Sequence, residues 1–271
     1  MMIPKCIYLP QILPLSPQRL HMILQFEIGS KQLKVNTDHY IDLSFPLKPG
    51  SNNPNAYHIG HPKFQAFCAG TFVGDVSQGG ACNCEDITFN AHGNGTHTEG
   101  IGHITSERIA IRDVLTDVWA YARVLSVTPS GADGSQYIDH TVLDSVDLTE
   151  VDALIIRTLP NDVAKNRRIW SGSNPPFFTP EFMRRLVEND VQHLLTDLPS
   201  VDPEEDDGLL SAHKTFWNYP SSPRMNATIS EMVFVPDEVT DGAYMLTIQI
   251  APFHSDASPS RPLLFPIIDA S

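Results

Sequence analysis

The segment from Asn90 to His103, Asn-Ala-His-Gly-Asn-Gly-Thr-His-Thr-Glu-Gly-Ile-Gly-His, carries three of the chain's eleven histidines and a glutamate between positions 92 and 103. Imidazole nitrogens and carboxylate oxygens are the donors that divalent metals select. In an extended chain, residues two apart share a face, so His97 and Glu99 can present a nitrogen and an oxygen to one point. His92 stands five residues before His97 and faces the other way in a regular strand, unless Gly93-Asn94-Gly95 forms a turn or bulge that re-aims it. His103, beyond Gly100-Ile101-Gly102, can return to the same pocket as a further ligand or as a proton-transfer group, and its distance from the metal decides between the two. A single histidine is most often an ordinary hydrogen-bonded one. Four such groups together argue for a metal site.

These donors need elements to position them. Short strands are expected at residues 23–28 and from 34–35 into 40–44, followed by a Pro/Asn/Gly-rich loop over 46–62 long enough to form a lid or rim. Residues 118–127 and 153–157 read as strands, the second buried on both faces because its apolar residues are continuous. Thr179-Pro180-Glu181 opens a helix to about residue 189: Thr179 can cap it, Pro180 suits the first turn, and Phe182, Met183, Leu186 and Val187 fall at helical spacing. Further strands are expected at 191–195, 244–251 and 263–268, so strands and helices alternate without an internal repeat.

Composition narrows the function. With 271 residues, 41% of them hydrophobic and 18% charged, the chain can bury a large core, and one α/β domain is expected. A formal charge of −14 without a basic patch argues against nucleic acid. No apolar stretch approaches the roughly 20 residues needed to cross a bilayer. Cys6, Cys68, Cys82 and Cys84 form no disulfide framework, which suits a reducing, cytoplasmic setting, and they read as buried or idle thiols. Residues 1–21, broken by Pro4, Pro10, Pro14 and Pro17, read as a poorly packed N-terminal extension to a domain spanning 22–271.

The segment from His92 to His103 resembles the His-x-Gly-Thr-His-x-Asp-x-Pro-x-His signature of the cyclase family, which includes bacterial kynurenine formamidase and isatin hydrolase. The likeness extends to Tyr40-Ile-Asp-Leu-Ser-Phe-Pro46, to Leu154-Ile-Ile-Arg-Thr158, to Leu195-Thr-Asp-Leu-Pro-Ser-Val-Asp202 and to Ser258-Pro-Ser-Arg-Pro262. It implies metal ligands at His92, His97, Glu99, His213 and Glu231, with His103 as general acid/base. Three departures stand out: an extra residue between His92 and Gly95, Glu99 for the usual Asp, and Gly100-Ile101-Gly102 in place of Ala-Pro-x.

The resemblance implies a single swivelling β/β/α-type domain, with a mixed sheet or barrel-like core and few helices, and a homodimer or higher oligomer. It also implies a small-molecule substrate. Zn²⁺ or Mn²⁺, as one ion or two with Glu99 bridging, suits the donors and supports hydrolysis of an amide, formamide or lactam C–N bond by activated water. Lactone or cyclic-imide hydrolysis is the alternative within the same chemistry, and a metal-binding scaffold without turnover is the alternative outside it. Phe64, Phe67, Phe72 and Tyr219 read as core. Trp217, four residues after His213, is expected against the substrate.

Overall fold

The computed structural model describes residues 22–131 and 134–270. Residues 1–21 and Cys6 lie outside it, so the expectation of a poorly packed extension is not addressed. Ten strands build the main sheet: β1 (Ile23–Ile28), β2 (Lys31–Asn36), β3 (Ile41–Asp42), β4 (His97–Gly100), β5 (Ala120–Val127), β6 (Ala153–Thr158), β7 (His193–Thr196), β8 (Thr228–Glu231), β9 (Gly242–Ile250) and β10 (Ala257–Ala270). β1 and β2 form a hairpin across Gly29-Ser30, with Gly29 at φ +56°, a conformation glycine adopts without strain.

From β2 the order runs β10-β9-β5-β6-β7-β8-β4, and β4 pairs back onto β10. That last pairing closes seven strands into a ring. Within it β5, β6, β7 and β8 are mutually parallel and the remaining junctions are antiparallel, so the molecule is the mixed, barrel-like α/β domain expected from the sequence.

Alternation along the strands divides the core between two faces of this one sheet. On β6, Leu154 and Ile156 join a cluster with Phe178, Phe182, Leu186, Phe216 and Trp217, whereas Ala153 and Ile155 join Ala122, Val124, Leu195 and Leu246. Every residue of β6 is buried, as its unbroken apolar run requires. The helix α1 (Pro180–Glu188) has the expected cap: Thr179 Oγ1 accepts from the Phe182 amide at 3.2 Å, and Phe182, Met183 and Leu186 are buried. A shorter helix, α2 (Ser211–Phe216), packs against α1.

Loop 46–62 is an anchored rim. Asn53 is buried and bridges it, accepting from Lys48 N at 2.7 Å and donating to Lys48 O at 2.7 Å and Gly50 O at 2.9 Å, while Tyr57 Oη donates to Pro199 O at 2.8 Å. After it the chain leaves the core as an arm of two short antiparallel pairs, Lys63–Ala66 with Glu85–Thr88 and Cys68–Ala69 with Phe72–Val73. Phe67 and Phe72 lie here, 40% and 37% exposed, which corrects their assignment to the core. Cys68, Cys82 and Cys84 are likewise exposed rather than buried, because the arm is too thin to enclose them. Among the described residues no helix is long and apolar enough to cross a membrane.

Candidate metal centre

Strand register brings the first donors together. β4 lies between β8 and β10, with His97 opposite Glu231 and Glu99 opposite Ile229 on one side, and Glu99 opposite Ala257 on the other. His97 and Glu99 therefore share a face, as their spacing requires, and Glu231 joins them across an antiparallel pair. His97 Nε2 lies 3.3 Å from Glu231 Oε2.

His92 enters from the turn that precedes β4. Asn90 shapes the turn by accepting from Gly93 N through its side chain at 3.1 Å and from Asn94 N through its carbonyl at 3.2 Å, and Gly95 turns the chain at φ +152°. A Cβ at position 93 would stand 2.5 Å from Ile59 Cδ1 and 3.1 Å from Ala56 O, so the loop packs closely against the turn at Gly93. The glycine turn re-aims His92 as the sequence allowed: its Nδ1 lies 3.0 Å from Glu99 Oε2.

His213 arrives on α2. Asp202 caps that helix, accepting from Ala212 N at 2.7 Å and His213 N at 3.1 Å, and also accepts from His213 Nδ1 at 2.6 Å. His213 Nε2 then faces Glu99 Oε1 at 3.0 Å and Glu231 Oε1 at 3.9 Å. His103, on the short 3₁₀ turn after β4, places Nδ1 3.7 Å from Glu99 Oε2. All six residues singled out for metal binding or proton transfer thus lie in one cluster, linked through Glu99 and Glu231.

The hydrogen bonds on the far side of each ring show which atom faces the cluster. His97 Nδ1 donates to Gly95 O at 2.9 Å and His213 Nδ1 donates to Asp202, so each turns its Nε2 inward. Among the described residues, buried His97 Nε2 has no hydrogen-bond partner. Orphaned buried donor atoms of this kind cost free energy unless something binds them. A divalent cation fits, since three sets drawn from these residues and Asp256 place their donor atoms within 4.8 Å of one another: His92, His97 and Glu99; His92, His103 and Asp256; Glu99, His103 and His213.

The protonation balance points the same way. Burial pulls the His92 and His213 imidazoles down, but the hydrogen bonds that the first donates to Asp256 and Glu99, and the second to Asp202 and Glu99, outweigh it and push each up to about 10. Burial raises the Glu99 carboxyl, yet the neighbouring His103, His213 and His92 hold it well below the usual range. The carboxylates demand positive charge, which protons supply in the metal-free protein and a metal would supply in their place.

The cluster forms the floor of a cavity of about 310 Å³, whose walls include Tyr57, Ile59, Ser200, Glu204 and Leu210. Trp217 is not among its walls. It is fully buried, its ring stacked behind His213 at 5.5 Å and its Nε1 donating to Ala227 O at 2.9 Å. The expected substrate contact is thereby corrected: α2 ends before Trp217 and the indole turns into the core, backing His213. Two acidic residues of the site escaped sequence reasoning as participants. Asp202 lay within a matched stretch without a role, and Asp256 follows no spacing rule, reaching His92 and His103 only because β10 closes the ring.

A closed mixed barrel bearing a buried carboxylate–imidazole cluster defines the class, a hydrolase of the cyclase family. The family model described as "Putative cyclase" matches residues 41–203, and the chain belongs to that family. Among its relatives are the kynurenine formamidases of Bacillus cereus, 26% identical over 243 residues, and of Bacillus cytotoxicus, 27% identical over 237 residues; each alignment covers 86% of this chain and 100% of the relative. Similar solved folds include one described as a potential metal-dependent hydrolase with cyclase activity, at TM-score 0.63, 17% identity and coverage of 84% of this chain and 97% of the other. Isatin hydrolase A from Labrenzia aggregata matches at TM-score 0.62, 16% identity and coverage of 84% and 93%.

Proposed function

We propose that the chain is a metal-dependent amidohydrolase that cleaves a formamide, amide or lactam C–N bond in the manner of an arylformamidase, with Zn²⁺ or Mn²⁺ at the His/Glu cluster. The observation that carries this reading is the convergence of His92 Nδ1 and His213 Nε2 on the two oxygens of buried Glu99, with orphaned His97 Nε2 beside them facing Glu231 at 3.3 Å. These residues and Glu231 would hold the ion. When bound, it supplies Lewis acidity toward a carbonyl and makes water acidic near neutral pH.

The side chains perform the rest. His103 stands at the cavity wall with Nδ1 engaged, which leaves Nε2 to pass a proton to the leaving nitrogen. Tyr57, Ile59 and Leu210 offer an apolar flank suited to an aryl group. The curated relatives make an N-formyl arylamine the first substrate to try. Metal-stripped protein, reloaded with Zn²⁺ or Mn²⁺ and assayed on formyl-anilines, isatin and lactones, tests the reading. Metal-dependent C–N cleavage is expected; tight metal binding with no turnover on any of these would make the chain a binding protein instead.

The same reading includes a homodimer or higher oligomer. Its support is the arm of residues 63–88, which leaves Phe67, Phe72, Val76 and Ile87 exposed. Light scattering at micromolar concentration should give at least a dimer, and a fully active monomer would count against it.

A further inference from the structure

Asp256 stands immediately before β10, held against β4 by its own backbone. Its carbonyl accepts from Gly100 N at 3.0 Å, and the neighbouring Ser255 carbonyl accepts from Ile111 N at 2.7 Å. Ser255 Oγ donates to Asp256 Oδ1 at 3.1 Å, which leaves Oδ2 for the site. That one oxygen lies 2.9 Å from His92 Nε2 and 3.2 Å from His103 Nδ1. The two rings sit side by side, with centroids 4.5 Å apart.

A neutral imidazole has one N–H and one lone pair. With its proton on Nε2, facing Asp256, His92 turns the Nδ1 lone pair toward Glu99 and the cluster. The opposite tautomer would aim an N–H at the metal and set a lone pair against a carboxylate. His97 and His213 already have an acceptor on the far side of the ring, Gly95 O and Asp202, and for His92 that acceptor among the described residues is Asp256. The same carboxylate oxygen accepts a hydrogen bond from His103 Nδ1.

We propose that Asp256 is a positioning residue serving two rings with one oxygen. It selects Nδ1 of His92 as the metal-facing atom, which lets a histidine displaced by one residue still serve as a ligand, and it holds His103 with Nε2 toward the substrate. Metal retention and proton transfer therefore share a residue. The proposal rests on the metal-site reading above, but its main readouts need no substrate.

The test is Asp256→Asn, which keeps the shape, retains one acceptor and places a donor where the second acceptor stood. Competition against a chromophoric chelator should show Zn²⁺ bound about 10–100-fold more weakly, the usual scale for losing such a partner, with the same number of ions at saturation. Long-range ¹H–¹⁵N spectra of the Zn²⁺-loaded wild type should show His92 protonated at Nε2, and the variant should lose that single tautomer. At saturating Zn²⁺ kcat should still fall roughly tenfold or more with KM little changed, because His103 is freed. Asp256→Glu should recover part of the affinity.

Unchanged Zn²⁺ affinity in a folded Asp256→Asn protein would overturn the proposal. So would loss of a whole ion at saturation, which would make Asp256 a ligand itself. Should the variant fail to fold, the wild-type spectrum decides alone, and His92 protonated at Nδ1 overturns it. A wild type that binds Zn²⁺ but hydrolyses nothing would refute the proposed reaction and leave these readouts standing.

Discussion

Glu99 takes His92 on one oxygen and His213 on the other, so each ligand's loss has a separate signature. His97→Ala removes a buried donor whose other nitrogen is already engaged, and metal analysis should find the ion lost along with turnover. His103→Ala should retain the metal while kcat drops by about a hundredfold or more, because its proposed role is proton transfer. Loss of metal from both variants would make His103 a ligand. The raised imidazoles make a further prediction. With His92 and His213 each titrating at about 10 in the metal-free protein, both are protonated at pH 7.5, and binding must displace their protons. Calorimetry in buffers of different ionisation enthalpy should show about two protons released per site filled, and Zn²⁺ affinity should rise with pH up to about 10.

At the scale of elements, α2 and its continuation make Trp217 a support for His213 rather than a substrate contact. Trp217→Phe loses the Ala227 hydrogen bond and leaves a small void, and should cost about 1–3 kcal/mol in denaturant unfolding while KM stays unchanged. A raised KM with unchanged stability would restore the substrate role. β7 carries another buried histidine, His193, whose Nδ1 is 2.8 Å from Thr228 Oγ1 and which burial pulls down to about 4. Its folded-state value lies below the unfolded value of 6.5, so between these two the unfolded chain takes up a proton that the folded chain refuses. Stability from this residue is full above pH 6.5 and declines as pH falls toward about 4; a melting series should show that slope, and His193→Gln should flatten it.

Elements with a strong local signal were legible in the sequence: the Thr179-Pro180 helix start, the continuous apolar run of β6, and the His97/Glu99 pair on one face. β8 was not, since Thr228-Ile229-Ser230-Glu231 is too short and polar to announce a strand that neighbours bury on every side. β10 starts six residues before the expected 263, because Pro259 and Pro262 interrupt the apolar pattern and proline is ordinarily kept out of paired strands. Asp256 shared that obscurity, as nothing near it in sequence marks its partners.

Across the whole molecule, the arrangement depends on contacts between distant stretches of chain. Arg261 Nε donates to Asp42 Oδ2 at 2.7 Å, tying together two segments that the family resemblance had matched separately. β4, which supplies His97 and Glu99, is flanked by β8 and by β10, both far downstream. On a ribosome, then, the histidine-rich segment emerges long before the strands that enclose it, and throughout that interval it is an open, flexible run of imidazoles able to hold an ion only loosely. On the proposed metal-binding reading, the strands that fix His97 and Glu99 are complete only once synthesis has passed residue 257, so the cellular pool met by the finished polypeptide, rather than the one met by its first hundred residues, would determine which ion it keeps.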